Sequence, residues 1–403
     1  MLSIMNVYST SNLDKVFQYL IIGFAFIFPL SVYAGNLLAL IILILWLLSG
    51  NYKEKFQKIF ESKLAISSFL FFLVFLMSAL WSEDKSEGML LAKKMIDFGL
   101  LLPILITTMH RKNLSLYINS FLASMILSIF FSFLIYFGLI EHISTTSTTS
   151  QRNPTPFMSH VSYTPFLAIT FYFIFNRFLF VPNKNRVTLA FYAVLLLLII
   201  FNIFITGGRA GQIAFFAMFI LAVIQKNKFS IRSIFSSFIF LTLTFSLAYS
   251  SSDIFKSRVD ESISFFTNIE KTDMSSTGLR LTYWRNSLEM FSNNLFFGVG
   301  VGDFNREYQK VNEVNSPNIH PTTNPHNMYL YVASTAGLFG IISMMSIFYF
   351  LYIDSRKYDV FHKNKVFGLL FFFLLISFFE SYLLGHYTSF LFIYLVSAIC
   401  SRE

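Results

Sequence analysis

Three basic side chains stand out in an otherwise apolar chain: Arg209 in TGGRAG (206–211), Arg280 in SSTGLRLTYWRNSLEMF (275–291) and His326 in NPHNMYL (324–330). An arginine fork matches two phosphate oxygens at once, where a lysine offers only a point charge. A positioned histidine is the commonest general base. Two such arginines and one such base describe a transferase acting on a lipid-linked pyrophosphate, provided that the chain brings all three to the same side of a membrane.

The elements that carry them are membrane spans. Of 403 residues 55% are hydrophobic and 13% charged, 53 are phenylalanine, and the mean hydropathy is +0.62, which is a membrane protein's composition. A single cysteine, Cys400, excludes a disulfide framework within the chain and a cysteine metal site. Twelve apolar runs approach the length needed to cross the hydrocarbon, at about 16–33, 35–49, 64–81, 90–109, 114–140, 158–181, 187–206, 210–225, 231–250, 327–352, 366–384 and 387–400. SVYAG after the first offers a signal-cleavage site, but the preceding region holds only Lys15 beside Asp14, so a span is the better reading. Lysine and arginine crowd into residues 1–15, NYKEKFQKIFESK, HRKN, NRFLFVPNKNR, QKNKFSIR, DSRKYDVFHKNK and the final SRE, whereas the alternate segments lean acidic. That alternation puts both termini in the cytoplasm. The net charge of +9 is therefore topological and gives no support to nucleic-acid binding. The fold expected is an all-α polytopic membrane protein: helices 1 to 9 over 1–250, a large outer loop over 251–326, and helices 10 to 12 over 327–403.

On this topology Arg209, Arg280 and His326 all lie at the outer face. Glycines allow a tight turn before Arg209, which then begins a helix; its structural alternative is an interfacial arginine reaching for lipid headgroups. Leu281, Trp284, Leu288 and Phe291 recur at helical spacing behind a Ser/Thr cap, which predicts an amphipathic helix against the membrane or the bundle, with Arg280 and Arg285 beside the stripe. Solvating that helix is the structural alternative for both. Asn324 before Pro325 reads as a cap followed by proline at the first helical position, so His326 falls in the first turn, where the positive helix end disfavours an imidazolium. Its alternative is a histidine that merely packs. GVGVG (298–302) is a turn with no strand leading into it, and the serine- and threonine-rich 141–157 reads as flexible. Acidic residues are scattered, with Glu83 and Asp84 the only adjacent outer pair, so neither a catalytic metal nor a cofactor is indicated. Glu380, a costly carboxylate near the outer end of the eleventh run, calls for an arginine partner. Lys93 and Lys94 are weaker phosphate contacts. No internal repeat or matching pair of broken helices marks a transporter.

Taken together, these motifs resemble the O-antigen ligase and polymerase family of bacterial inner membranes. The span count, the late large loop and the cytoplasmic termini match in layout. TGGRAG resembles the family's arginine after a small-residue turn, TGLRLTYW its loop arginine, FFGVGVGDF its glycine turn, and HNMYL with ASTAGLFG its histidine motif. The resemblance implies a metal-independent, inverting glycosyltransferase of the GT-C type in the inner membrane, its site facing the periplasm. Its donor would be an undecaprenyl-pyrophosphate-linked glycan and its acceptor a sugar of the lipid A core. Met328 stands where some members carry an acidic residue, which leaves Asn327 to orient acceptor hydroxyls. A polymerase joining lipid-linked repeat units shares this chemistry, and a protein O-glycosyltransferase is a longer chain. A lipid-linked glycan flippase or exporter would instead line a central cavity with charge in several helices.

Overall fold

A computed structural model describes residues 2–141, 143, 149–180, 185–228, 230–267 and 275–401. Its helices are α1 (Leu2–Ile27), α2 (Val32–Leu48), α3 (Tyr52–Glu61), α4 (Lys63–Trp81), α5 (Lys85–Lys94), α6 (Ile96–Gly99), α7 (Leu101–Thr108), α8 (Leu114–Tyr136) and α9 (His160–Phe180). They continue with α10 (Arg186–Ile205), α11 (Arg209–Asn227), α12 (Ile231–Ser251), α13 (Asp253–Thr267), α14 (Ser276–Asn293), α15 (Phe304–Asn315), α16 (Met328–Ser355), α17 (Val360–Ile376) and α18 (His386–Ile399). The protein is all-α and polytopic, as the composition requires. Among the described residues seven helices are long and apolar enough to cross a membrane: α4, α8 with the turn before it, α9, α10, α11, α12 and α16. The pair α2 and α3, bent by 119°, makes an eighth if it counts as one span.

One of the twelve expected runs departs from a single helix. Residues 90–109 do not form one helix but divide among α5, α6 and α7. Pro103 supplies a reason: in a continuous helix it would lack an interior hydrogen bond and clash with the carbonyl four residues back, whereas in the first turn of α7 neither cost arises. The last two runs become α17, of 17 residues, and α18, of 14. Because α17 ends at Ile376, Glu380 lies in the connection beyond it rather than within a span.

Two compact units make up the chain. The first comprises Met1–Ser124, Arg280–Val366 and Glu380–Glu403, and the second Met125–Leu279 and Phe367–Phe379. The segment 251–326, expected as an outer loop, is divided between the units at Leu279 and Arg280. In the first unit the aromatic rings of Phe24, Phe28, Phe390 and Tyr394 pack edge to face or tilted, with centroids 5.3–6.3 Å apart. Here too α16 runs beside α4, and Gly337 breaks it with φ +63°. The break turns out the carbonyls of Ser334 and Thr335, which accept the amides of Val299 and Gly300 at 2.8 and 2.9 Å. The glycine turn expected at 298–302 is present, and Gly298 adopts φ +66° within it.

In the second unit α9 is the most enclosed of the candidate spans, with α10 and α11 packed along it. The TGGRAG glycines serve close approach rather than an unusual turn. A Cβ on Gly211 would lie 2.2 Å from the Thr164 carbonyl carbon and 2.5 Å from the Pro165 nitrogen. A Cβ on Gly208 would meet the Thr164 hydroxyl at 1.8 Å. Residues 142 and 144–148 of the segment read as flexible lie outside the described residues, but 149–157 is not loose. Pro154, Thr155 and Pro156 are buried, the Ser132 hydroxyl donates to the Pro154 carbonyl at 2.6 Å, and Asn153 accepts the Gly207 amide at 3.0 Å. Gly211→Val is expected to destabilise the protein by about 1–3 kcal/mol, because α11 has no room to move off α9 without losing contact. Denaturant titration in micelles checks this, and an unchanged midpoint would contradict the packing.

Candidate active site

His326 does not lie in the first turn of α16. The helix starts at Met328, and its cap is Asn327, whose side chain accepts the Leu330 amide at 3.1 Å. Asn324, expected as the cap, instead folds the chain into a tight loop: its Oδ1 accepts the His326 amide at 2.9 Å and the Ser381 hydroxyl at 2.8 Å, and its Nδ2 donates to Glu380 Oε1 at 2.8 Å. The helix cannot start at Asn324 because His326, two residues on, has a left-handed and not a helical backbone, with its amide taken by the Asn324 side chain. His326 itself adopts φ +53°, a left-handed conformation that costs a non-glycine residue about 1–2 kcal/mol. Such strain persists only where the surroundings over-determine it, and it collects at functional sites.

Those surroundings are specific. The imidazole Nδ1 lies 2.6 Å from Glu380 Oε2, and the Ser381 amide donates to Glu380 Oε1 at 3.0 Å. A carboxylate only accepts, so Nδ1 is the donor and Nε2 is left as the basic nitrogen. The direct partner of Glu380 is therefore this histidine and not the arginine expected, although the Arg280 charge is near enough to act on it. Burial works to raise the Glu380 carboxyl, but the His326 hydrogen bond and charge, the Ser381 amide and Arg280 together hold it below its ordinary value. The dipole argument for His326 falls with its helical position, and Glu380 takes over the task of orienting the ring.

The helix α14 is present as the pattern predicts, with Ser275 Oγ accepting the Gly278 amide at 3.1 Å. Its enclosed face is different from the expected stripe. Asn286, Ser287 and Met290 are buried, while Leu281 and Leu288 point outward. The reason is polar: Asn286 Nδ2 reaches the Tyr308 hydroxyl and Asn312 Oδ1 of α15, each at 3.2 Å, and fixes that face inward. One turn beyond Arg280, Trp284 Nε1 donates to the Pro325 carbonyl at 3.0 Å, and the Tyr283 ring stands 6.3 Å from the imidazole. Thus α14 holds both a guanidinium and the loop that carries His326.

The secondary candidates divide. Arg285 is exposed and donates to the Asn315 carbonyl at 3.0 Å, closing the end of α15. Asn327 caps α16, and Lys94 ends α5, where its charge acts on His386. None of the three joins the His326 network among the described residues.

Arg209 belongs to the second unit, as the first residue of α11. Its guanidinium forms a short ion pair with Glu261 of α13, and Arg258 Nη1 lies 3.3 Å from the same carboxylate oxygen. Sequence reading missed Glu261 and Arg258; their spacing of three on one helix was the only signal, and it is a common one.

The architecture is that of a multi-pass membrane protein, and its part-buried charged groups gather in the segments outside the long apolar helices. Residues 193–345, which include Arg209, Arg280 and His326, match the family model for O-antigen ligase. Members of that family are membrane glycosyltransferase-like ligases and polymerases. No curated protein matches the chain.

Asn324→Ala removes three contacts that hold the loop, so exchange of the amides in 322–327 should accelerate while α4 and α16 stay protected. Hydrogen–deuterium exchange reads this directly, and unaltered loop protection would show that Asn324 does not hold His326. Arg285→Ala should cost no more than about 1 kcal/mol, because it removes one exposed hydrogen bond.

Proposed function

We propose that the protein is an O-antigen ligase, an inverting and metal-independent glycosyltransferase that moves a glycan from undecaprenyl pyrophosphate to a sugar of the lipid A core. It works at the periplasmic face of the inner membrane, with both termini in the cytoplasm. The observation that carries this reading is the His326–Glu380 pair, a base held by a carboxylate in a strained loop. The acceptor hydroxyl attacks the anomeric carbon of the donor sugar, and the bond from that carbon to the pyrophosphate oxygen breaks. The hydroxyl proton passes to His326 Nε2, while Glu380 holds the ring through Nδ1 and stabilises the imidazolium that forms. The leaving pyrophosphate gains negative charge as the bond breaks. Arg209 and Arg280 each offer a guanidinium to that charge.

His326→Ala is expected to lower transfer by about 100-fold to 10,000-fold. Arg209→Ala and Arg280→Ala should each cost on the order of 100-fold to 1,000-fold. Glu380→Gln keeps the side chain's shape and should lower kcat by on the order of 100-fold or more, with little change in KM. The assay is the lipopolysaccharide ladder of a deletion strain complemented with each variant, with insertion monitored by immunoblot. Near-normal ladders from His326→Ala cells would sink the mechanism. The deletion strain itself should accumulate full-length polymer on its lipid carrier beside bare core. Core bearing a single repeat unit would make the protein a polymerase, and lipid-linked single units stranded in the cytoplasm would make it a flippase.

A further inference from the structure

The Glu261 carboxylate stands among donors that suit a phosphate. One oxygen takes the Arg209 guanidinium and lies 3.3 Å from Arg258 Nη1; the other accepts the Ser276 amide, at the start of α14, at 3.0 Å. The Thr277 hydroxyl lies 3.4 Å from Arg209 Nη1. These groups come from α11, α13 and the first residues of α14, all of them in the second unit. Two guanidinium groups and a helix-end amide therefore converge on one small anion, and the Thr277 hydroxyl accepts from Arg209 beside it. The same two arginines line a cavity of about 660 Å³ whose remaining wall is mostly apolar, with Ile213, Phe216, Leu241 and Phe245 among its residues. A charged head beside an apolar trough fits an amphiphile whose phosphate carries a long hydrocarbon chain.

We propose that this cradle receives the pyrophosphate of an isoprenoid donor, that Arg258 is a second guanidinium within it, and that Glu261 is a resident anion which swings aside when the donor binds. The inference rests on the pyrophosphate role assigned to Arg209 under the proposed function. Two guanidinium groups held close together repel one another, and in a partly enclosed site they require an anion between them. Glu261 supplies it while the cradle is empty and keeps both forks aimed. A pyrophosphate carries more charge and more acceptor oxygens than one carboxylate, so it wins both arginines in bidentate geometry. Displacement is feasible because the Glu261 side chain is 28% exposed and can turn to water, whereas Arg209, at 18%, stays in place. The carboxylate thus raises the donor concentration needed for binding and helps to expel the pyrophosphate product by reclaiming the arginines.

The test is binding of geranylgeranyl pyrophosphate to the purified full chain in nanodiscs of neutral lipid. If the carboxylate occupies the cradle about nine-tenths of the time, Glu261→Gln binds the probe about tenfold more tightly than wild type, since apparent affinity scales with the competent fraction. Arg258→Ala in the Glu261→Gln background should then lose about tenfold, and Arg209→Ala at least as much. Glu261→Asp, with a shorter reach and unchanged charge, should fall between wild type and Glu261→Gln, which keeps the test valid if either variant alone misfolds. Equal or weaker binding by Glu261→Gln, with Arg209→Ala still defective, would overturn the resident anion and leave the pyrophosphate role of Arg209 standing. Wild-type binding that is absent, or indifferent to Arg209→Ala, would remove both. Phosphatidylglycerol that competes with the probe at equal affinity, and responds to Glu261→Gln in the same way, would make the site one for lipid headgroups and overturn the assignment to a donor.

Discussion

A backbone that leaves the helix in apolar surroundings must find new partners for its amides and carbonyls, and most of the features described here follow from that constraint. In the first unit α16 breaks at Gly337, and the two carbonyls turned out are met by the amides of Val299 and Gly300. The loop that supplies those amides is itself held: Val301 and Gly302 donate to Ser78 and Ser82, and Asp303 accepts the amides of Glu83 and Asp84 at 2.7 and 2.9 Å. The glycines of this loop permit an approach so close that a side chain on Gly298 would overlap the Thr335 backbone. A short irregular segment thereby becomes as fixed as a helix.

The His326 loop obeys the same rule with a different outcome. Its polar groups are satisfied by Asn324, Ser381 and Trp284, and the arrangement that satisfies them leaves His326 in a left-handed conformation with its ring on Glu380. The hydrogen bonds to the loop and the ring offset that strain and hold the ring on Glu380. Such preorganisation is what a general base requires, because none of its orientation then has to be won during the reaction.

Charge follows a parallel logic in each unit. A cation, or a base that becomes one, needs an anion in a partly buried place, and the chain provides Glu380 for His326 and Glu261 for Arg209. The two carboxylates differ in setting. Glu380 is enclosed and tied down by Asn324 and Ser381, whereas Glu261 is more exposed and receives a backbone amide from one helix end. The first is placed to stay and the second to yield.

Hydropathy, loop charge and short motifs sufficed to read an all-α membrane protein, to single out Arg209, Arg280 and His326, and to name the family that residues 193–345 match. These are local or periodic properties, and the hydrocarbon enforces them strongly enough for a linear chain to display them. Several other features were invisible there: the break of residues 90–109 into three helices, the cap at Asn327 instead of Asn324, and the inward polar face of α14. The pairing of Glu380 with histidine rather than arginine, and the presence of Arg258 and Glu261 beside Arg209, were hidden in the same way. Glu380 lies 54 residues from His326 and Glu261 lies 52 from Arg209. Such partners are chosen by packing, and only the folded chain decides which of many scattered carboxylates ends within hydrogen-bond reach of a given cation.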